Sequence, residues 1–155
     1  MRGVRSGVFV LALVPFVALC LRVVQNDLGP DPAKELSLAT GEWALRFLLL
    51  ALAMTPLRAL TGRLEFAQRR RMIGLFALFY ASVHLFVWMA FLLGFRWSAI
   101  AEELVERPYI TLGFAAYVIL FALGVTSPRV MVRRLGRNWR RLHRLVYAAG
   151  VLAIA

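Results

Sequence analysis

Cysteine, lysine, acids and histidine are all scarce in this sequence, and each scarcity removes a class of protein. The 155 residues hold one cysteine, Cys20, so no intrachain disulfide can form. Val17-Ala18-Leu19 ahead of it lacks the small residue that a lipoprotein cleavage site needs before its cysteine. No His-Glu-x-x-His, Cys-x-x-Cys or carboxylate pair is present, which leaves zinc, iron-sulfur and hydrolytic chemistry without support. A Gly-rich strand-to-helix turn is also missing, so flavin or nicotinamide chemistry would need another protein. Repeats and low-complexity tracts are absent.

What is abundant is apolar surface and arginine. Hydrophobic residues make up 61% of the chain and charged residues only 17%, with a mean hydropathy of +0.73, a balance that points to a membrane protein. The net charge of +11 comes from 19 basic residues against 8 acidic ones, and all the basic residues except Lys34 are arginine. These charges alternate with apolar runs instead of covering one soluble face, which argues against a nucleic-acid partner.

The apolar stretches fall near residues 7–24, 42–57, 72–95, 108–126 and 142–155, predicting five helices in one all-α, polytopic transmembrane bundle over residues 1–155. A bilayer core about 30 Å thick needs about 20 residues at 1.5 Å each. The third and fourth stretches meet that length, the second does so only by recruiting residues such as Ser37 to Thr40, and the fifth stops early. The first follows Arg2 and Arg5 like a signal peptide, but it is long and lacks an Ala-x-Ala-like site, so it reads as an anchor.

Arginine placement sets an orientation. Segment 57–71 carries Arg58, Arg63, Arg69, Arg70 and Arg71 against Glu65, and segment 128–144 carries seven arginines and no acid. Both are expected in the cytoplasm, with the N-terminus. Asp27, Asp31, Glu35 and Glu42, and then Glu102, Glu103 and Glu106, mark the outer segments of an inner-membrane protein. Thr40 is a plausible N-cap ahead of Gly41-Glu42. Pro108 suits a helix start, and Pro56 and Pro128 suit helix ends or bends.

Two histidines carry the chemistry. His84 shares a helical stripe with Gly74, Ala77, Ala81 and Trp88, small or polar positions among large apolar ones. Small residues also serve plain helix packing. An ionisable ring at mid-membrane is costly to bury without a partner or ligand, and an imidazole beside a smooth wall is what a haem needs. His143 lies in "RRLGRNWRRLHRLVY", residues 133–147, where solvent or lipid phosphate also accounts for it. Tyr147 and Gly150 follow on its face.

"TGEWALRFLLLALAMTPLR" (40–58), "RRRMIGLFALFYASVHL" (69–85), "YITLGFAAYVILFALGVTS" (109–127) and "RRLGRNWRRLHRLVY" together resemble the MsrQ family of the ferric reductase-like transmembrane group. The resemblance implies a haem b subunit, with FMN a further possible cofactor. Such a subunit passes electrons from quinol or a cytosolic flavin reductase to MsrP, a periplasmic molybdopterin reductase that repairs oxidised methionines. It implies His84 and His143 as axial ligands of haem iron, no catalytic residue in the chain itself, and six helices in the full pattern.

Depth arithmetic separates the two histidines. His84 lies 13 residues past Arg71, about 20 Å in, whereas His143 lies two past Arg141, about 3 Å in. One iron does not easily take both. The family pattern carries a further histidine about 13 residues after His143, near position 156, so the chain reads as cut short in its fifth helix. A non-redox anchoring subunit is the competing class. A transporter ranks lowest, because the spans hold no acid away from their ends.

Overall fold

The computed structural model describes residues 2–154, and for residues 2–5, 67 and 68 the backbone alone. It is helical throughout, with no strand among the described residues. The helices are α1 (Arg2–Val24), α2 (Pro32–Thr61), α3 (Leu64–Val87, continued by a π turn over Trp88–Leu92), α4 (Trp97–Glu106), α5 (Pro108–Val125), α6 (Arg129–Leu135), α7 (Arg137–His143) and α8 (Leu145–Leu152). Ser6–Val24, Pro32–Thr61, Leu64–Leu92 and Pro108–Val125 are long and apolar enough to cross a membrane, as a multi-pass bundle requires.

Local chemistry explains where these helices begin and end. α2 starts well before Thr40: the Asp31 side chain accepts from the Lys34 amide at 3.1 Å and Pro32 takes the first position. Thr40 is therefore not a cap but a buried mid-helix residue, its hydroxyl donating to the carbonyls of Leu36 (2.8 Å) and Ser37 (3.0 Å). Nor does Pro56 stop α2, which runs its 30 residues to Thr61 and closes on Gly62 in the left-handed region at φ 68°. Pro108 does open α5, and Pro128 caps α6 just after α5 ends. The segment expected as an outer loop at 96–107 is a ten-residue helix, α4, with an apolar and an acidic face. The fifth apolar stretch breaks at Arg144, where i to i+3 backbone bonds (Arg144 N to Arg141 O, 3.2 Å; Tyr147 N to Arg144 O, 3.1 Å) separate α7 from α8.

Packing fixes the directions. α2 and α3 form an antiparallel pair, Trp43 lying by Tyr80 and Phe47 by both Tyr80 and Phe76. α1 runs alongside α3, with Phe9 on Phe76 and Phe16 on Phe79. Consequently α1 and α3 rise from one end and α2 and α5 return to it. Arg58, Arg70, Arg71, Arg140 and Arg144 border one cavity at that end, and Glu42, Glu103 and Arg107 border another at the opposite end. The two arginine-rich segments thus meet on one side. Phe9, Leu11, Val14, Phe86, Phe114, Val118 and Phe121 stay exposed on the outer faces, where hydrocarbon would cover them.

One polar contact ties α1 to this pair. Tyr80 is fully buried, and its hydroxyl donates to Ala12 O at 2.8 Å while accepting from Phe16 N at 3.0 Å. Ala12 and Phe16 are successive partners in the α1 ladder, so the hydroxyl stands inside that ladder, next to Pro15, which has no N–H to give. Tyr80→Phe should lower stability by about 1–2 kcal/mol, since it withdraws one donor and one acceptor from a dry site. Unfolding in mixed micelles measures this; an unchanged midpoint would show that α1 closes its own ladder without cost.

Candidate functional site

His84 sits one turn after Tyr80 on α3 and meets α2 at Ser37, Thr40 and Gly41, residues spaced to share one helix face. Its Nδ1 lies 2.9 Å from Ser37 O and 3.4 Å from Thr40 Oγ1. A carbonyl oxygen can only accept, so Nδ1 carries the proton and Nε2 keeps the lone pair. Gly41 makes this approach possible. A Cβ there would stand 3.1 Å from both Cε1 and Nδ1 of the ring, tighter than ordinary contact.

His84 borders a cavity of about 820 Å³ at the acidic end. Gly41, Ala81, Gly113 and Ala116 give it smooth walls, Trp88, Phe114 and Tyr117 give it aromatic ones, and Glu42 and Arg107 lie at its rim. Cofactor sites are of this size and are apolar with a few placed polar groups. An imidazole whose Nδ1–H is bound to a backbone carbonyl is the arrangement that orients a histidine toward a metal. These residues fit a haem, and His84 is the side chain here that could hold its iron. The stripe read from the sequence divides here: Ala81, His84 and Trp88 border this cavity, Ala77 is fully buried in helix packing, and Gly74 borders the other cavity.

His143 lies elsewhere. It ends α7 and borders a second cavity of about 520 Å³ at the arginine end; Leu48 and Leu120 border both cavities and stand between them. Its ring stacks on Trp139 at 4.1 Å between centroids, and Trp139 Nε1 donates to Thr126 O at 3.0 Å. The Thr126 hydroxyl donates to Ala122 O at 2.7 Å, so its lone pair faces His143 Nε2, 3.3 Å away, and that nitrogen carries the proton. Burial first, and the charge of Arg70 second, hold the His143 imidazole below the usual histidine range. The two histidines present opposite tautomers to different cavities and are not brought together. Ala153, beyond α8, borders the cavity of His84 rather than that of His143, which agrees with the depth arithmetic.

Several site residues were not read from the sequence. Ser37 and Gly41 carried a signal in their spacing with Thr40, obscured by taking Thr40 as a helix start. Thr126 and Trp139 carried none, because their contact with His143 depends on how α7 folds back onto the end of α5.

Comparison with known proteins follows this geometry. The family described as "Ferric reductase like transmembrane component" matches residues 40–154. A Ralstonia nicotianae protein named "Protein-methionine-sulfoxide reductase heme-binding subunit MsrQ" is 43% identical over 99% of this chain and 71% of its own length. The chain belongs to the MsrQ branch of the ferric reductase-like transmembrane family. MsrQ proteins of Xanthomonas euvesicatoria and Xanthomonas oryzae are 54% and 52% identical over 83% of this chain. The chain spans 59% of the length of those two relatives. No solved structure matches it.

The close approach at Gly41 generates a prediction. Helix propensity favours Gly→Ala by about 1 kcal/mol, whereas overpacking costs about 1–3 kcal/mol. Gly41→Ala should be destabilising by up to about 2 kcal/mol because the ring has to move, and Gly113→Ala, with open space around its Cβ, should be neutral or stabilising. Unfolding midpoints of the two variants in mixed micelles test the contrast. Equal effects would mean that the His84 ring is not held against α2.

Proposed function

We propose that this chain is a haem b electron-transfer subunit of a bacterial inner membrane, its N-terminus and arginine-rich segments in the cytoplasm. The observation that carries the proposal is His84: its Nδ1 proton is committed to Ser37 O, leaving Nε2 as a base beside a cavity of cofactor size. When bound, haem b supplies a one-electron iron couple inside the span. The chain's own residues do the rest. Ser37 and Thr40 fix the tautomer and rotation of His84; Gly41, Ala81 and Gly113 leave a flat wall; Trp88 and Phe114 separate the cavity from lipid.

His143 holds a different place in this reading. It lines the opposite cavity, with its Nε2 3.3 Å from the Thr126 hydroxyl, so in this reading it belongs to the cytoplasmic end where electrons enter and not to the iron of His84. Ala153, just beyond α8, lines the His84 cavity as well, so the C-terminal end of the described chain reaches that site. The clustering of arginines at one end and acids at the other supports the orientation, because cytoplasmic segments carry the excess of arginine and lysine.

The relatives' name ties them to methionine sulfoxide reduction, and this chain is read the same way. Electrons would come from quinol, or from a cytosolic flavin reductase with FMN as carrier, and leave for the periplasmic molybdenum reductase MsrP. Glu102, Glu103 and Glu106, on or at the end of outer helix α4, are the acids nearest such a partner. The test is to reduce the haem-loaded protein anaerobically and add MsrP with a methionine sulfoxide substrate. Haem reoxidation that requires both additions is expected. Reduced haem that persists with both present would contradict the role, as would purified protein without a Soret band, the outcome for a non-redox anchor.

A further inference from the structure

The cavity of His84 is apolar over most of its wall, and its charged residues are few. Arg107 is the one arginine or lysine among the described residues that line it, and Glu42 and Glu103 are the acids. Glu42 is offset by Arg46 at 2.6 Å, a residue of α2 that does not line the cavity. Arg107 stands between α4 and α5, where its Nε lies 3.2 Å from Glu103 Oε2 and its Nη1 donates to the Tyr109 hydroxyl at 3.2 Å. Tyr109 lines the same cavity. A guanidinium carries five N–H donors in a planar fork, so two contacts leave donors to spare, and the Tyr109 hydroxyl still has its own hydrogen to give.

We propose that Arg107, assisted by Tyr109, anchors the propionate carboxylates of a haem in this cavity, an inference that rests on reading the cavity as a haem site. A haem brings two carboxylates, and beside a wall of Leu45, Leu48, Leu85 and Leu120 an ionised carboxylate without a partner is costly. The rim at Arg107 removes that cost, because a guanidinium fork matches carboxylate oxygens and the phenol adds a further donor. The pairing with Glu103 does not stand in the way. Half of the Arg107 side chain is exposed, and an ion pair in contact with water contributes little, so a carboxylate ligand shares or replaces it at small cost. Arg107 thereby makes the site select an ionised porphyrin over an equally flat, uncharged one, and sets which edge of the ring faces the rim.

The test compares haemin with haemin dimethyl ester, which has the same ring and iron but no propionate charge, each titrated into haem-free protein in mixed micelles. The signal followed is the part of the Soret change that His84→Ala abolishes. Wild type should bind haemin about tenfold more tightly than the ester. Arg107→Gln should bring haemin down to the level of the ester and leave the ester within about twofold, while Arg107→Lys keeps part of the preference. Lys34→Gln, which removes the same charge from the start of α2 outside the cavity, should change neither ligand by more than about twofold. Tyr109→Phe should weaken haemin alone, by about threefold, and covers the case in which Arg107→Gln does not fold. Equal affinity of wild type for the two ligands, or equal loss of both in Arg107→Gln, as for an arginine that only fastens α4 to α5, would overturn the proposal and leave the haem reading standing. Absence of any signal that depends on His84, with either ligand, would overturn both.

Discussion

In hydrocarbon no water is present to complete a hydrogen bond, so each buried polar atom must find its partner within the chain, and the Nδ1 proton of His84 finds Ser37 O. That bond is one of several along the α2–α3 seam that follow the same rule. Thr40 turns its hydroxyl back to its own helix, and Tyr80 places its hydroxyl in the ladder of α1. Because His84 and Tyr80 are one turn apart, the contact that holds α1 and the contact that aims the imidazole lie on one stretch of α3. A shift of α3 against its neighbours α1 and α2 would loosen both.

From this seam the two ends of the molecule take different characters. Leu48 and Leu120 separate a cavity at the acidic end, apolar and aromatic with one available imidazole nitrogen, from a cavity at the arginine end crowded with guanidiniums. The first is the one whose lining fits a flat hydrophobic cofactor. His143 belongs to the second environment by position: its ring stacks on Trp139 and its Nε2 lies 3.3 Å from the Thr126 hydroxyl.

Much of this was legible in the sequence, and what was missed has identifiable causes. Apolar runs and alternating arginines and acids predict five helices, of which the first four are the spans long and apolar enough to cross a membrane, because hydrocarbon length and charge cost act on each segment separately. His84 stood out because an ionisable residue in a run such as "FYASVHLFVWMAF" is expensive unless used. Thr40 was misread as a cap because a threonine before Gly-Glu mimics one locally, while Asp31 and Pro32, nine and eight residues earlier, set the true start. The helical form of 97–106 did carry a local signal, its apolar and acidic faces, which was passed over in reading the segment as an outer one; the break at Arg144 carried none. Depth counting still put His84 and His143 apart, since rise per residue is a property of the helix and not of its neighbours.

The central proposal is that His84, held by Ser37, takes a haem iron and that His143 is not on the same iron. The most direct measurement is the pyridine haemochrome content and low-temperature absorption spectrum of purified His84→Ala and His143→Ala proteins present at equal levels. The account predicts loss of the deeper haem b signal from His84→Ala, and an effect confined to a site near the arginine end in His143→Ala. Equal and complete loss from both would place the two histidines on one haem and contradict it.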